Sequence, residues 1–171
     1  VNNYLISIRK PFTDLIFHLD PFERIKTNEW RKKPLPIGHY YVYESKYKRG
    51  CGKVVGEFDI VENHEFPIGS ISFEDCQAHD LVHQGIVPYG FLKHYANGAE
   101  IICANIIRNT KYYQEPRELN EFWGRIRCLS EHTPYCWSCF GACIEREGAR
   151  YQPLRRPPQS YCHIWVEEKK K

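Results

Sequence analysis

The sequence contains no methionine, no apolar run of membrane-spanning length and no strong excess of either charge. A helical span needs about 18 or more predominantly apolar residues, so none is expected. No cationic segment followed by an apolar stretch stands at the start, so no secretory signal is expected either. Because the chain opens at Val1 and holds no methionine, the expectation is that an initiating residue was removed or omitted. Lysine and arginine number 24 against 21 aspartates and glutamates, a formal charge of +3. That balance permits a polyanionic partner without demanding one. Internal repeats and low-complexity tracts are also missing, which excludes a solenoid and a largely disordered chain.

What the chain does have is core material, with 42% hydrophobic and 15% aromatic residues in 171 positions. This is enough for one ordinary domain. It also has eight cysteines. At this length and without a secretory signal, they point to reduced thiols in the cytoplasm rather than to a disulfide scaffold.

Periodicity outlines the elements. Tyr4, Ile6 and Ile8 alternate with Leu5, Ser7 and Arg9, as in a half-buried strand. Pro11 suits a first helical turn, and Phe12, Leu15, Ile16 and Leu19 follow at helical spacing until Asp20-Pro21. His39 to Ser45 is rich in Tyr and Val and reads as a strand. Val54, Gly56, Phe58 and Ile60 define the inner face of another. Pro88 opens a short helix with Phe91, Leu92 and Tyr95 on its apolar side, and Asn97-Gly98 stops it. Ala99 to Ile107 is a strongly apolar strand, and Tyr161 to Val166 the last one, with Cys162, Ile164 and Val166 on one side. About six short strands with helices between them predict an α+β fold, a mixed β-barrel with peripheral helices.

The segment Lys26-Thr27-Asn28-Glu29-Trp30-Arg31 stands out chemically. If it is extended, Thr27, Glu29 and Arg31 share one face and Lys26 takes the other. Arg31 could fork onto a phosphate or a base edge, and Lys26 could neutralise a phosphate as a point charge. Glu29 could accept from an exocyclic amine or hold either cation in place. Trp30, Tyr41 and Tyr43 could stack on an unpaired base. The plainer alternative is a structural Glu–Arg pair. Lys46, Lys48, Arg49 and Lys53, with Arg9 and Lys10, could track a phosphate backbone; a solvated hairpin tip is the bland alternative.

Several of these stretches also carry a family resemblance. The opening Ile6-Ser7-Ile8-Arg9-Lys10-Pro11-Phe12 resembles the start of an ASCH domain, a member of the PUA-like superfamily. The segment from Lys26 to Arg31 is similar to that family's G-x-K-x-x-E-x-R signature, although Arg24 stands where the glycine is usual. The strand from Tyr41 to Lys46, the strand from Lys53 to Phe58, Phe91 to Tyr95, Pro116 to Leu119 and Pro157 to Cys162 continue the match in order. The resemblance implies one PUA-like domain over 1–171, of bacterial or phage type, with a cysteine-containing insertion at 128–156. It implies an RNA- or nucleotide-binding cleft at the barrel mouth that uses Lys26, Glu29, Arg31, Tyr43, Lys46, Arg9, Lys53 and Ser160; DNA remains open as a partner.

Two rival functions follow from the same resemblance. Some ASCH relatives are nucleoside amidohydrolases or ribonucleases, which would make Lys26 a base and Thr27 a nucleophile, assisted by Glu29. The hydrolase pattern places a threonine where this chain has Glu29, and an acid where it reads His83-Gln84-Gly85. The other rival is a protein–protein regulatory adaptor. Independently, Cys136, Cys139 and Cys143 have spacing that fits one structural zinc, with Cys128 as the preferred fourth ligand. Buried reduced thiols explain the same residues equally well. A thioredoxin-like reading of Cys136 and Cys139 fails on context, because Pro134 precedes and Gly141 follows them.

Overall fold

A computed structural model of the chain describes residues 2–68, 76–126, 143–146 and 148–166. It has three helices, α1 (Phe12–Phe17), α2 (Cys76–Gly85) and α3 (Tyr89–Ala96). Its strands are β1 (Asn3–Ile8), β2 (Asn28–Arg31), β3 (Gly38–Glu44), β4 (Val54–Pro67), β5 (Ile101–Arg117), β6 (Phe122–Ile126), β7 (Ile144–Arg146), β8 (Ala149–Pro153) and β9 (Tyr161–Val166). They form one nine-stranded sheet in the order β2-β5-β4-β3-β1-β9-β6-β8-β7. The α+β class therefore holds. The sheet differs from the expected barrel, because among the described residues no ladder joins β2 to β7.

Nine strands among the described residues stand against about six expected, the additions being β6, β7 and β8. The stretch after Ser130 reads as irregular in sequence, yet β7 and β8 pair antiparallel within it, and β8 continues onto β6. These strands are short, and their paired residues include Gly124, Arg125 and Arg150, which obscure any apolar alternation. β5 also runs on to Arg117, with Arg108 to Tyr112 exposed past the apolar part. Conversely, α1 ends earlier than the apolar spacing implies. His18 is left-handed (φ 51°) and the Leu19 N–H bonds Asp14 O at 3.0 Å, closing the helix in a Schellman-like turn. Leu19 is consequently exposed.

The chain groups into two compact units. The first draws on 1–10, 40–56 and 113–171. Its core gathers Leu5, Tyr43, Val54, Phe122 and Ile164, with Cys162 and Val166 packed against it. β1 pairs antiparallel with β9, Leu5 opposite Cys162. Tyr4 stacks on Tyr40 with centroids 4.9 Å apart, so both faces of β1 are covered and Leu5 is buried as well as Tyr4.

The second unit draws on 11–39 and 57–112. Its core contains Trp30, Phe66, Leu81, Val87, Leu92, Ile102, Ala104 and Ile106. β2 pairs antiparallel with β5, Glu29 opposite Asn105. Asn105 is fully buried in the apolar run of β5. Its Nδ2 donates to Glu29 O at 2.7 Å, and its Oδ1 accepts from Leu35 N at 2.7 Å. One side chain thus fixes β2 and the backbone that follows it. Truncating it leaves two buried backbone groups unpaired, each costing about 1–3 kcal/mol. Asn105→Ala is expected to lose about 2–4 kcal/mol by urea unfolding, with the Leu35 amide losing hydrogen-exchange protection.

Candidate functional site

The signature segment approaches its strand from outside it. β2 begins at Asn28, so Lys26 and Thr27 precede the regular pleat. Asn28 and Trp30 turn inward, and Glu29 and Arg31 share the half-buried opposite face. Against strict alternation, Lys26 is not separated from that face. Its Nζ lies 3.5 Å from Glu29 Oε2, and Glu29 Oε1 lies 3.1 Å from an Arg31 terminal nitrogen. One carboxylate therefore bridges two cations.

Lys26 is only 1% exposed. Its ammonium donates to Gly85 O at 2.9 Å, at the C-terminal end of α2, where the helix dipole favours a cation. It also lies 5.5 Å from the centre of the Phe12 ring. Burial pushes its amine below the usual lysine value, and the Glu29 charge opposes that fall. Thr27 is half-buried and tied through its backbone, with its N–H on Gln84 O at 3.2 Å and its carbonyl accepting from Ile107 N at 2.9 Å. Its hydroxyl faces Gln84 Oε1 at 3.4 Å.

The α2–β2 contact is close because residue 85 has no side chain. A Cβ at Gly85 would lie 2.4 Å from both Asn28 Oδ1 and Trp30 Nε1. Asn28 Nδ2 donates to Leu81 O at 2.8 Å, a second tie between the same elements. Ile86 then takes a left-handed backbone (φ 52°), a strained state for a β-branched residue. Trp30 is 5% exposed and packs 6.0 Å from Phe66, so its indole serves the core rather than a stacked base.

The remaining expected binding residues lie in the first unit. Tyr43 is buried in that unit's core cluster, where burial and, next, the Cys51 charge raise its phenol above the ordinary value. Tyr41 packs 5.1 Å from Phe122. Lys53 pairs with Glu118, whose hydrogen bond and charge hold the amine above its usual value. Ser160 O accepts from Ser7 N at 2.9 Å. Exposed Tyr47 has Arg9 5.7 Å and Lys48 5.8 Å from its ring centre. Lys48 and Arg49 are both left-handed (φ 52° and 67°), so this basic tip holds a strained backbone. Lys46 drapes over Gly52, where a Cβ would sit 2.6 Å from Lys46 Cε.

Of the expected zinc ligands, Cys128, Cys136 and Cys139 lie outside the described residues, and Cys143 is buried. Among the described residues no cluster of three or more His, Cys, Asp or Glu side chains could hold a metal. No helix among them is long and apolar enough to cross a membrane.

Sequence reasoning passed over Asn105, which anchors Glu29, and Gly85, whose carbonyl receives Lys26. The signal for Asn105 was present, as a lone amide inside an apolar strand. Gly85 carried none, because a glycine near a helix end is ordinary.

Among the solved structures that resemble the chain are three of an ASCH protein from Zymomonas mobilis. The unaltered protein is 16% identical with a TM-score of 0.57, covering 97% of this chain and 88% of that one. A serine-to-alanine variant is 15% identical with a TM-score of 0.59, covering 97% and 89%. A tyrosine-to-phenylalanine variant is 17% identical with a TM-score of 0.51, covering 68% and 76%. No protein-family model and no curated protein matches the sequence. The chain has an ASCH-type fold.

Because Glu29 is the counter-ion of a buried ammonium, its loss exposes an unpaired internal charge, a change that costs about 3–5 kcal/mol. Glu29→Ala is expected to destabilise by that order, and Lys26→Met by less, since Glu29 keeps Arg31. The pH response has a definite sign. Below the ordinary lysine value of 10.5 the unfolded chain retains the Lys26 proton, whereas the folded chain releases it earlier. Within that window the unfolded state binds more protons, so stability rises with pH. Relative to Lys26→Met, the native chain should gain stability as pH climbs from the folded-state value towards 10.5. Paired thermal melts across the alkaline range measure it; a gap that narrows with pH contradicts the assignment.

Proposed function

We propose that this ASCH-type chain binds RNA, or a nucleotide-like ligand, at the polar face of β2, with Arg31 as the contacting residue. The observation that carries the reading is the bridge in which Glu29 holds Lys26 by one oxygen and Arg31 by the other. A guanidinium pinned at one end by a carboxylate is oriented before a ligand arrives, and its planar fork matches a phosphate or a base edge. Lys26, enclosed by Gly85 and Phe12, acts as a positioning residue for Glu29. Arg9, Lys46 and Lys48 around Tyr47 form a separate candidate phosphate-contacting tip within the first unit. Among the described residues, Cys51, Cys103 and Cys162 are free thiols, the state expected in a reducing cytoplasm. The segment from Cys128 to Cys143 is read as structural, with zinc its candidate clamp.

Binding of a single-stranded RNA oligomer at several salt concentrations tests this. Arg31→Ala should weaken binding about tenfold and lower the salt slope by about 0.7, the loss of one phosphate contact. Arg31→Lys should recover the slope but not the affinity, because it keeps the charge without the fork. Equal affinity in all three proteins would refute the role of Arg31.

One observation favours an amidohydrolase or ribonuclease reading as a second choice. Burial lowers the Lys26 amine towards the range of a general base. The same burial, at 1% exposure, sets the amine behind Glu29. Turnover of acylcytidine or RNA by the native chain, lost in Lys26→Ala, would promote this reading; an inactive native chain removes it.

A further inference from the structure

We infer that the outer side of α3, together with the lysine pair after β2, is a stacking ledge for an unpaired base of a single-stranded RNA. The inference extends the reading of Arg31 as an RNA contact and rests on it for the identity of the ligand. Its groups are Phe91, Tyr95, Lys32, Lys33 and Lys93, all within the second unit.

The helix is held firmly. Leu92 and Ala96 are buried, Pro88 precedes the first turn, and left-handed Asn97 ends the last one. Phe91 and Tyr95, one turn apart, are thereby set on a fixed frame. Their rings lie 5° from parallel with centroids 6.4 Å apart. Phe91 is 40% exposed, although apolar spacing assigns it to the core side. A base placed on Phe91 would continue the same ring orientation.

The charge on the two segments that carry this ledge has one sign. Lys32 Nζ stands 5.7 Å from the centre of the Tyr95 ring, joining the segment after β2 to the helix. Lys32, Lys33 and Lys93 are exposed, and α3 and residues 31–34 contain no acidic residue. Among the described residues, none of the three lysines has a carboxylate partner. Lysine is depleted at protein–protein interfaces, so exposed aromatics ringed by lysines make a poor protein-docking patch. The same composition serves single-stranded nucleic acid well, since stacking accepts any base and the ammonium groups follow the backbone. Lys32 is the residue directly after Arg31 in the chain.

Fluorescence anisotropy with a labelled oligouridine, at low and moderate salt, tests the ledge beside Arg31→Ala. Phe91→Ala should weaken binding about tenfold, and Phe91→Trp should retain it, with cooperative thermal unfolding of each variant showing that it is folded. Lys32→Ala/Lys33→Ala should lower the salt slope by about 1.4. If Arg31→Ala weakens binding while the Phe91 and lysine variants bind like the native chain, the ledge is refuted and the Arg31 contact stands. If only the ledge variants weaken binding, the ledge stands and the reading of Arg31 fails. A native chain that does not bind at low salt overturns both. An equal-length oligothymidine, bound as tightly and lost in the same variants, would overturn the restriction to RNA.

Discussion

A lysine ammonium taken out of water constrains the second unit more than any other group. The effective penalty of burying such an ion is several kcal/mol even after relaxation. Lys26 offsets it with the Gly85 carbonyl, the Glu29 carboxylate and the Phe12 ring. Each of these imposes a condition on its surroundings. The carbonyl must stand at the end of α2, and α2 must lie close to β2. The close approach forbids a side chain at position 85, and the strained backbone of Ile86 follows immediately. The carboxylate must face Lys26, which leaves its second oxygen to orient Arg31. The position of the half-buried guanidinium therefore follows from an internal electrostatic problem.

Fold likeness and site chemistry carry different weight. Identities of 15–17% across an ASCH-type architecture establish how the strands and helices are arranged, not what the surface recognises. Functional meaning must come from particular groups. The hydrolase pattern that the resemblance implies has an acid where this chain reads His83-Gln84-Gly85, and a threonine where it has Glu29. An oriented guanidinium suits recognition better than bond cleavage.

Much of the architecture was legible in the chain. β1, β3, β9 and the apolar part of β5 follow their patterns, and Pro88 with Asn97 brackets α3 as turn chemistry predicts. Local pattern failed where long-range context decided. Leu5 reads as outward-facing, yet β1 lies inside the sheet and is covered on both faces. β7 and β8 are too short and polar to announce themselves. At the site, the Glu29–Arg31 face was legible from alternation alone. The burial of Lys26 was not, because lysine is almost never fully buried and the carbonyl that receives it lies 59 residues away. Trp30 and Tyr43 looked available for stacking because residue type does not reveal which face of a strand the core takes.

The end position of β2 in the sheet has its own consequence. A terminal strand offers unpaired amides and carbonyls to any other chain, the usual seed of intermolecular sheet growth. β2 is only four residues long, and Lys32, Lys33 and Pro34 follow it at once. Two like charges and a residue without an N–H make that border a poor template for a second copy. Residues at the rim thus guard against self-association, and any variant that neutralises them trades colloidal safety for whatever else it gains.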